Sequence, residues 1–172
     1  MPSSATGQGP ANPAEVLRAY TEAANAGDVE AALACWADNA TYTVLPAAVT
    51  GQSVFAGKVQ LRALAEALVA QHSRTELEDL RVDGERVTAR ARAIMDSVRH
   101  LGIDALEATV EALVRNGTIQ SATSTFSPEA AALLAAARAA QTASAQIPQA
   151  QELIGGGLTG GADDLVPHQA SG

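Results

Sequence analysis

The stretch LEATVEALVRNGTIQSATSTF, Leu106–Phe126, decides the fold. Two β-rich runs flank Asn116-Gly117, a dipeptide favoured in two-residue hairpin turns because both of its positions tolerate positive φ. The spacing predicts adjacent antiparallel strands over 106–115 and 118–126. In the first, Leu106, Ala108, Val110, Ala112 and Val114 fall on one face. Glu107, Thr109, Glu111, Leu113 and Arg115 fall on the other. The apolar face should look into the molecule. It is lined by small aliphatic groups and carries no ionisable side chain, so the interior it predicts is greasy and offers no acid or base.

Upstream, Arg86–Val98 reads as a long strand. Val87, Ala89, Ala91, Ala93 and Met95 alternate with Thr88, Arg90, Arg92, Ile94 and Asp96. Asp83-Gly84 turns into it from a strand over 76–82. Residues 58–71 read as a helix with the stripe Leu61, Leu64, Ala65 and Leu68. Ala40–Pro46 reads as a strand closed by proline, with Tyr42 and Val44 on one face. Two helices precede it. The first opens at Asn12-Pro13, a cap followed by an N1 proline, and carries Val16, Leu17, Tyr20 and Ala24 on one side. The second, capped by Asp28, carries Val29, Ala32, Leu33 and Trp36 and should end near Asp38-Asn39. Downstream, Ser127-Pro128-Glu129 starts an alanine-rich helix running to about Ala145.

The order of elements is α+β: a curved antiparallel sheet wrapped around the N-terminal helices as a cone-shaped barrel, with a C-terminal helix. The expected organisation is a disordered tail over 1–11, a domain over 12–127, a helix over 128–147 and a flexible glycine-rich tail over 148–172.

Composition narrows the function. Among 172 residues, 47% are hydrophobic but only 3% aromatic, so the core is built from Ala, Val and Leu. Small side chains fill volume poorly: either the elements approach closely or a cavity remains. A net charge of −8 argues against a nucleic-acid surface or an anionic membrane, which need clustered Lys and Arg. The single cysteine excludes an intrachain disulfide and fits a cytoplasmic setting. Neither a signal peptide nor an apolar run of ~18 residues is expected.

On Tyr20 through Ala40 (YTEAANAGDVEAALACWADNA), on the entry through Gly57-Lys58 into the third helix, and on the hairpin at Arg115-Asn116-Gly117-Thr118-Ile119, the chain resembles the nuclear-transport-factor-2-like superfamily in its SnoaL-like branch. The resemblance covers roughly residues 13–127. It implies relatives among ketosteroid isomerases, limonene-epoxide hydrolases and polyketide cyclases, and also among non-enzymatic binding domains. It implies an oxyanion-donor role for Tyr20, whose plainer reading is a core tyrosine. Tyr42 and Pro46 match the Tyr-x-Asn-x-Pro of the epoxide hydrolases, where tyrosine and asparagine hold the attacking water. Val44 stands where that asparagine, or the isomerases' basic aspartate, would be, and a valine neither positions water nor takes a proton. Ala91 and Ala93 occupy the inward Arg and Asp positions, and Ser124 the place of a second acid.

Tyr20, Tyr42 and Ser124 are therefore the candidate catalytic residues. Trp36, Val44, Ala91, Ala93, Val110, Ala112 and Ala122 are the candidate ligand-binding wall. Elsewhere, Asp96, Arg99 and His100 cluster in a turn. His72, His100 and His168 lack ligand spacing, so no metal or other cofactor is expected. Cys35 reads as an inert thiol, and Gly155–Gly161 as a linker rather than a phosphate loop. Two readings stand: a domain binding a hydrophobic small molecule, with isomerase, cyclase or hydrolase chemistry on polyketide- or terpenoid-like substrates, or a non-enzymatic binding or dimerisation module. Leu113 and Ile94, set among charges on the outward sheet face, point to a homodimer.

Overall fold

The computed structural model describes residues 12–47 and 52–155, and side chains as far as residue 143. The elements are α1 (Pro13–Asn25), α2 (Val29–Ala34), β1 (Trp36–Leu45), β2 (Val54–Ala56), α3 (Gly57–Ala70), β3 (Arg74–Asp83), β4 (Arg86–Ile94), α4 (Asp96–Arg99), β5 (Leu106–Arg115), β6 (Thr118–Phe126) and α5 (Pro128–Gly155). The chain divides into two units between Arg138 and Ala139, within α5. The sheet and α1–α4 lie in the first.

The decisive hairpin forms over the expected residues. Asn116 and Gly117 take φ of 51° and 75°, the paired positive values of a tight turn. From it a curved six-stranded sheet grows in the order β2-β1-β6-β5-β4-β3. Every neighbouring pair is antiparallel except β1 with β6. The sheet is unclosed, with β2 and β3 as edges. Its inward face carries Val87, Ala89, Ala91 and Ala93 from β4, all buried. From β5 it carries Leu106, Ala108, Val110, Ala112 and Val114, also buried. This is the alternation read from the sequence.

The outward face is ion-paired. Arg92 lies 3.6 Å from Glu76 and 3.8 Å from Glu107, Arg90 lies 3.4 Å from Asp79, and Arg86 pairs with Glu111. These cross-strand pairs hold the arginines outside and fix the register, because a one-residue slip would bury them.

Four boundaries differ from expectation. Trp36 is the first residue of β1, not the last turn of α2. The Ile119 N–H donates to the Cys35 carbonyl at 2.8 Å, so parallel pairing with β6 begins here and takes the chain out of the helix. Lys58 Nζ caps the freed α2 end at the Leu33 carbonyl, 2.5 Å away. β2 arises within the segment read as a loop, paired antiparallel to β1. β4 stops at Ile94, and Asp96 opens α4, because the Asp96 N–H turns to the Gln71 carbonyl at 2.9 Å. α5 continues past its expected end through Pro148 to Gly155. The tail expected over 148–172 thus overlaps α5 as far as residue 155. Its remainder and residues 1–11 lie outside the described residues.

No helix among the described residues is long and apolar enough to cross a membrane.

Candidate functional site: two joined cavities at the tyrosines

Two cavities open on the inward face of the sheet. The larger, about 570 Å³, lies between α3, the β4–α4 turn and the start of α5. Leu64, Leu68, Val44, Met95, Leu106 and Leu134 give it apolar walls, while Gln60, Gln71, Ser97 and Arg138 supply polar atoms. The smaller, about 100 Å³, lies between α1 and the sheet. Tyr42, Leu68, Ser73, Thr75, Ala93 and Phe126 line both, so the two are neighbours across a shared wall.

β1 brings Trp36, Ala40, Tyr42 and Val44 to the inner side of the sheet, and the parallel register sets Tyr42 beside Ala122 and Val44 beside Ser124. The Tyr42 hydroxyl donates to Ser124 Oγ at 2.8 Å. The rings form a chain. Trp36 meets Tyr20 edge-on at 5.2 Å between centroids and Tyr42 at 6.0 Å, and Tyr42 meets Phe55 at 6.4 Å. Edge-to-face contacts of this kind hold aromatic rings in one orientation and add to their burial energy.

Burial pushes the Tyr20 phenol above its ordinary range, and the neighbouring Tyr42 and Cys35 push it further. Burial also raises Tyr42, and the hydrogen bond to Ser124 offsets part of that rise. Both phenols are therefore neutral donors at physiological pH, not bases.

The candidates divide by position. Tyr20, Trp36, Tyr42, Ala91, Ala93, Val110, Ala122 and Ser124 line the inner cavity. Val44 lines the outer one. Ala112 faces inward but lines neither: its neighbours across the strands are Val87 and Ala122, and it is 1% exposed. The sheet is packed there and hollow further along. Among the described residues, no carboxylate or imidazole lines either cavity.

The α3 stripe Leu64, Ala65 and Leu68 reads in the sequence as ordinary core, yet these side chains face the cavities. Their half-exposed state is what marks them, and it is visible only in three dimensions. The expected Asp96–Arg99–His100 cluster resolves differently. Asp96 Oδ2 lies 2.6 Å from His72 Nδ1, across from the end of α3, and this bond holds the Asp96 carboxyl below the usual range. His72 is largely exposed and Asp96 partly so, and the pair lines neither cavity. Cys35 is half-buried, and burial raises its thiol, which leaves it a poor nucleophile.

Gln71 Oε1 is buried without a hydrogen-bond partner among the described residues, on the wall of the larger cavity.

Solved structures share this architecture at low identity. SalBIII, an epoxide hydrolase/cyclase-like enzyme with a role in pyran ring formation in the polyether salinomycin, superposes with a TM-score of 0.56 at 20% identity, over 69% of this chain and 92% of its own. A candidate polyketide cyclase from Sinorhizobium meliloti gives 0.53 at 21% identity, over 64% and 93%. A candidate ketosteroid isomerase from Kribbella flavida gives 0.55 at 15% identity, over 67% and 77%. No curated protein matches by sequence. The sheet, the helices packed in its hollow and the cavities between them thus have their counterpart in sequence: residues 17–127 match the SnoaL-like domain, and the chain belongs to that family.

Proposed function

We propose that this domain binds a hydrophobic small molecule in the larger cavity, with an oxygen of the ligand accepting a hydrogen bond from a phenol at the cavity's inner wall. The single observation that carries the reading is the cavity of about 570 Å³ against apolar walls, within the size range of small-molecule sites. The neutral phenol of Tyr42 lines that volume and would donate to the ligand by exchanging its bond to Ser124, while Tyr20 lines only the smaller cavity beside it. Such donors stabilise negative charge developing on a carbonyl or ether oxygen. The likeness to SalBIII and to the candidate cyclase and isomerase supports ring closure or isomerisation of a polyketide- or terpenoid-like compound as the reaction class. Among the described residues the cavity walls carry no carboxylate or imidazole, which supports binding and confinement as the main work of the site. Proton abstraction would fall to the ligand's own groups or to water.

The reading further has two copies pairing through the outward face of β4 and β5, where Ile94 and Leu113 sit half-buried among the ion pairs, in a cytoplasmic setting that suits the single cysteine.

The test is a titration with acetyl-dimethylaminonaphthalene, a neutral probe whose emission shifts to the blue in apolar surroundings. Saturable, stoichiometric binding with a blue shift is expected, and weaker binding in Ala93→Leu, which thickens the wall shared by the two cavities. Absence of saturable binding by the parent would overturn the reading.

A further inference from the structure

The inner cavity adds a constraint on shape. It adjoins the larger one and shares with it lining residues that include Tyr42, Leu68 and Ala93. Its remaining walls are mostly hydrocarbon, with Leu17, Ala32, Ala91, Ala108, Val110 and Ile119. Most polar groups there are already satisfied. Thr21 Oγ1 donates to the Leu17 carbonyl at 2.9 Å, Asn25 exchanges two bonds of 2.8 Å with the Thr75 backbone, and Tyr42 is bonded to Ser124. An apolar group entering this space breaks no hydrogen bond except, where the phenol must swing, the one between Tyr42 and Ser124.

The volume sets a length. On the scale by which an apolar cavity of about 150 Å³ takes a benzene ring, a volume of about 100 Å³ takes roughly four carbon atoms. A second ring does not fit. The Tyr42 side chain lines both cavities, and β6 beside it in the sheet sets Ala122 and Ser124 against the inner one. A chain reaching the inner cavity from the larger one goes past the Tyr42 ring, which favours a narrow, unbranched shape.

We infer that the ligand has two parts: a bulky apolar body that fills the larger cavity, and an unbranched apolar arm of roughly four carbons that passes Tyr42 into the inner one, which serves as a length gauge. The inference rests on the binding function proposed above and goes further by naming the shape that the site selects.

The experiment uses one fluorescent body with arms of increasing length: acyl-dimethylaminonaphthalenes from acetyl to octanoyl, titrated against the full chain. Each methylene buried is worth about a fourfold gain in affinity. Affinity should climb by about that factor per carbon while the arm fills the inner cavity, then level off or fall once it is full. In Ala108→Val the climb should stop about two carbons earlier, with the acetyl probe bound as in the parent, because Ala108 lines the inner cavity and not the larger one. Ala32→Val, on α2, should do the same and replaces it where the first variant folds poorly.

A flat profile in the parent, with the acetyl probe still bound, would overturn the arm and leave the binding site standing. A climb that continues unbroken to octanoyl, or that is unchanged in both variants, would place the arm elsewhere and overturn it equally. Failure of every probe to bind would remove the proposed function and this inference together.

Discussion

Ala112→Leu and Ala93→Leu make the same chemical change on the same inward face and should have opposite consequences. Ala112 is 1% exposed, flanked by Val87 and Ala122 on the neighbouring strands, and lines no cavity. Three added carbon atoms have no space there, and overpacking of this kind costs about 1–3 kcal/mol. Ala93 lies on the same face but lines both cavities. At Ala93 the added carbons bury against hollow walls, worth up to about 2 kcal/mol at roughly 0.8 kcal/mol per methylene. Fixing the leucine rotamer returns about 0.5–1 kcal/mol of that. Ala93→Leu should therefore stay within about 1 kcal/mol of the parent or gain slightly. At roughly 3–5 °C per kcal/mol for a domain of this size, Ala112→Leu should melt about 3–15 °C below the parent. Thermal unfolding followed by circular dichroism reads both. Equal melting temperatures for the two variants, or Ala112→Leu at or above the parent, would mean that the hollow is not where the side chains place it.

Three further outcomes follow from particular side chains. The chain has two tyrosines, both with raised pKa, so their phenolate absorbance should be absent through the ordinary range near pH 10 and appear only with alkaline unfolding. The unfolded chain releases those protons first, so stability falls as pH rises past about 10; ionisation of either tyrosine in the folded state at its ordinary pKa would refute their burial. In His72→Ala, the Asp96 carboxyl loses the main cause of its lowered pKa and should titrate higher, by NMR. In the parent, the stability tied to that carboxylate is present above about pH 4 and lost as pH falls through its depressed folded value. A dimer held through β4 and β5 should persist in sedimentation at tens of micromolar, about the range sufficient for a stable pair, and should weaken in Leu113→Arg; a monomer at that concentration would sink the pairing.

How much of this was legible in the sequence depends on the range over which each feature is determined. The β5–β6 hairpin was readable because it is local: a period of two and the Asn116-Gly117 turn specify strands, partners and faces within a few residues. Trp36 was assigned to a helix because its own neighbours favour one. Its strand state comes from pairing beside Ile119, far along the chain, and no local pattern carries that. The His72–Asp96 contact is of the same kind, made by the end of α3 meeting the start of α4.

The site shows the limit more sharply. Alternation assigns Ala112 and Ala93 to one face with equal force, and both do face inward. Whether the space before each is filled depends on what the other layer sets against it. Near the hairpin turn, Val87, Val114 and Ile119 close the interior almost completely. Toward the far end of β4 the opposing elements are α3, the β4–α4 turn and the start of α5, whose side chains line the hollow. An alanine-rich sheet face is thus a permissive condition for a cavity rather than its cause. The cause is the spacing of helices whose own apolar stripes read like any core. For the same reason Val44, which removes the expected acid or amide, is informative about chemistry but silent about binding: it takes a proton acceptor out of the wall and adds apolar surface to it.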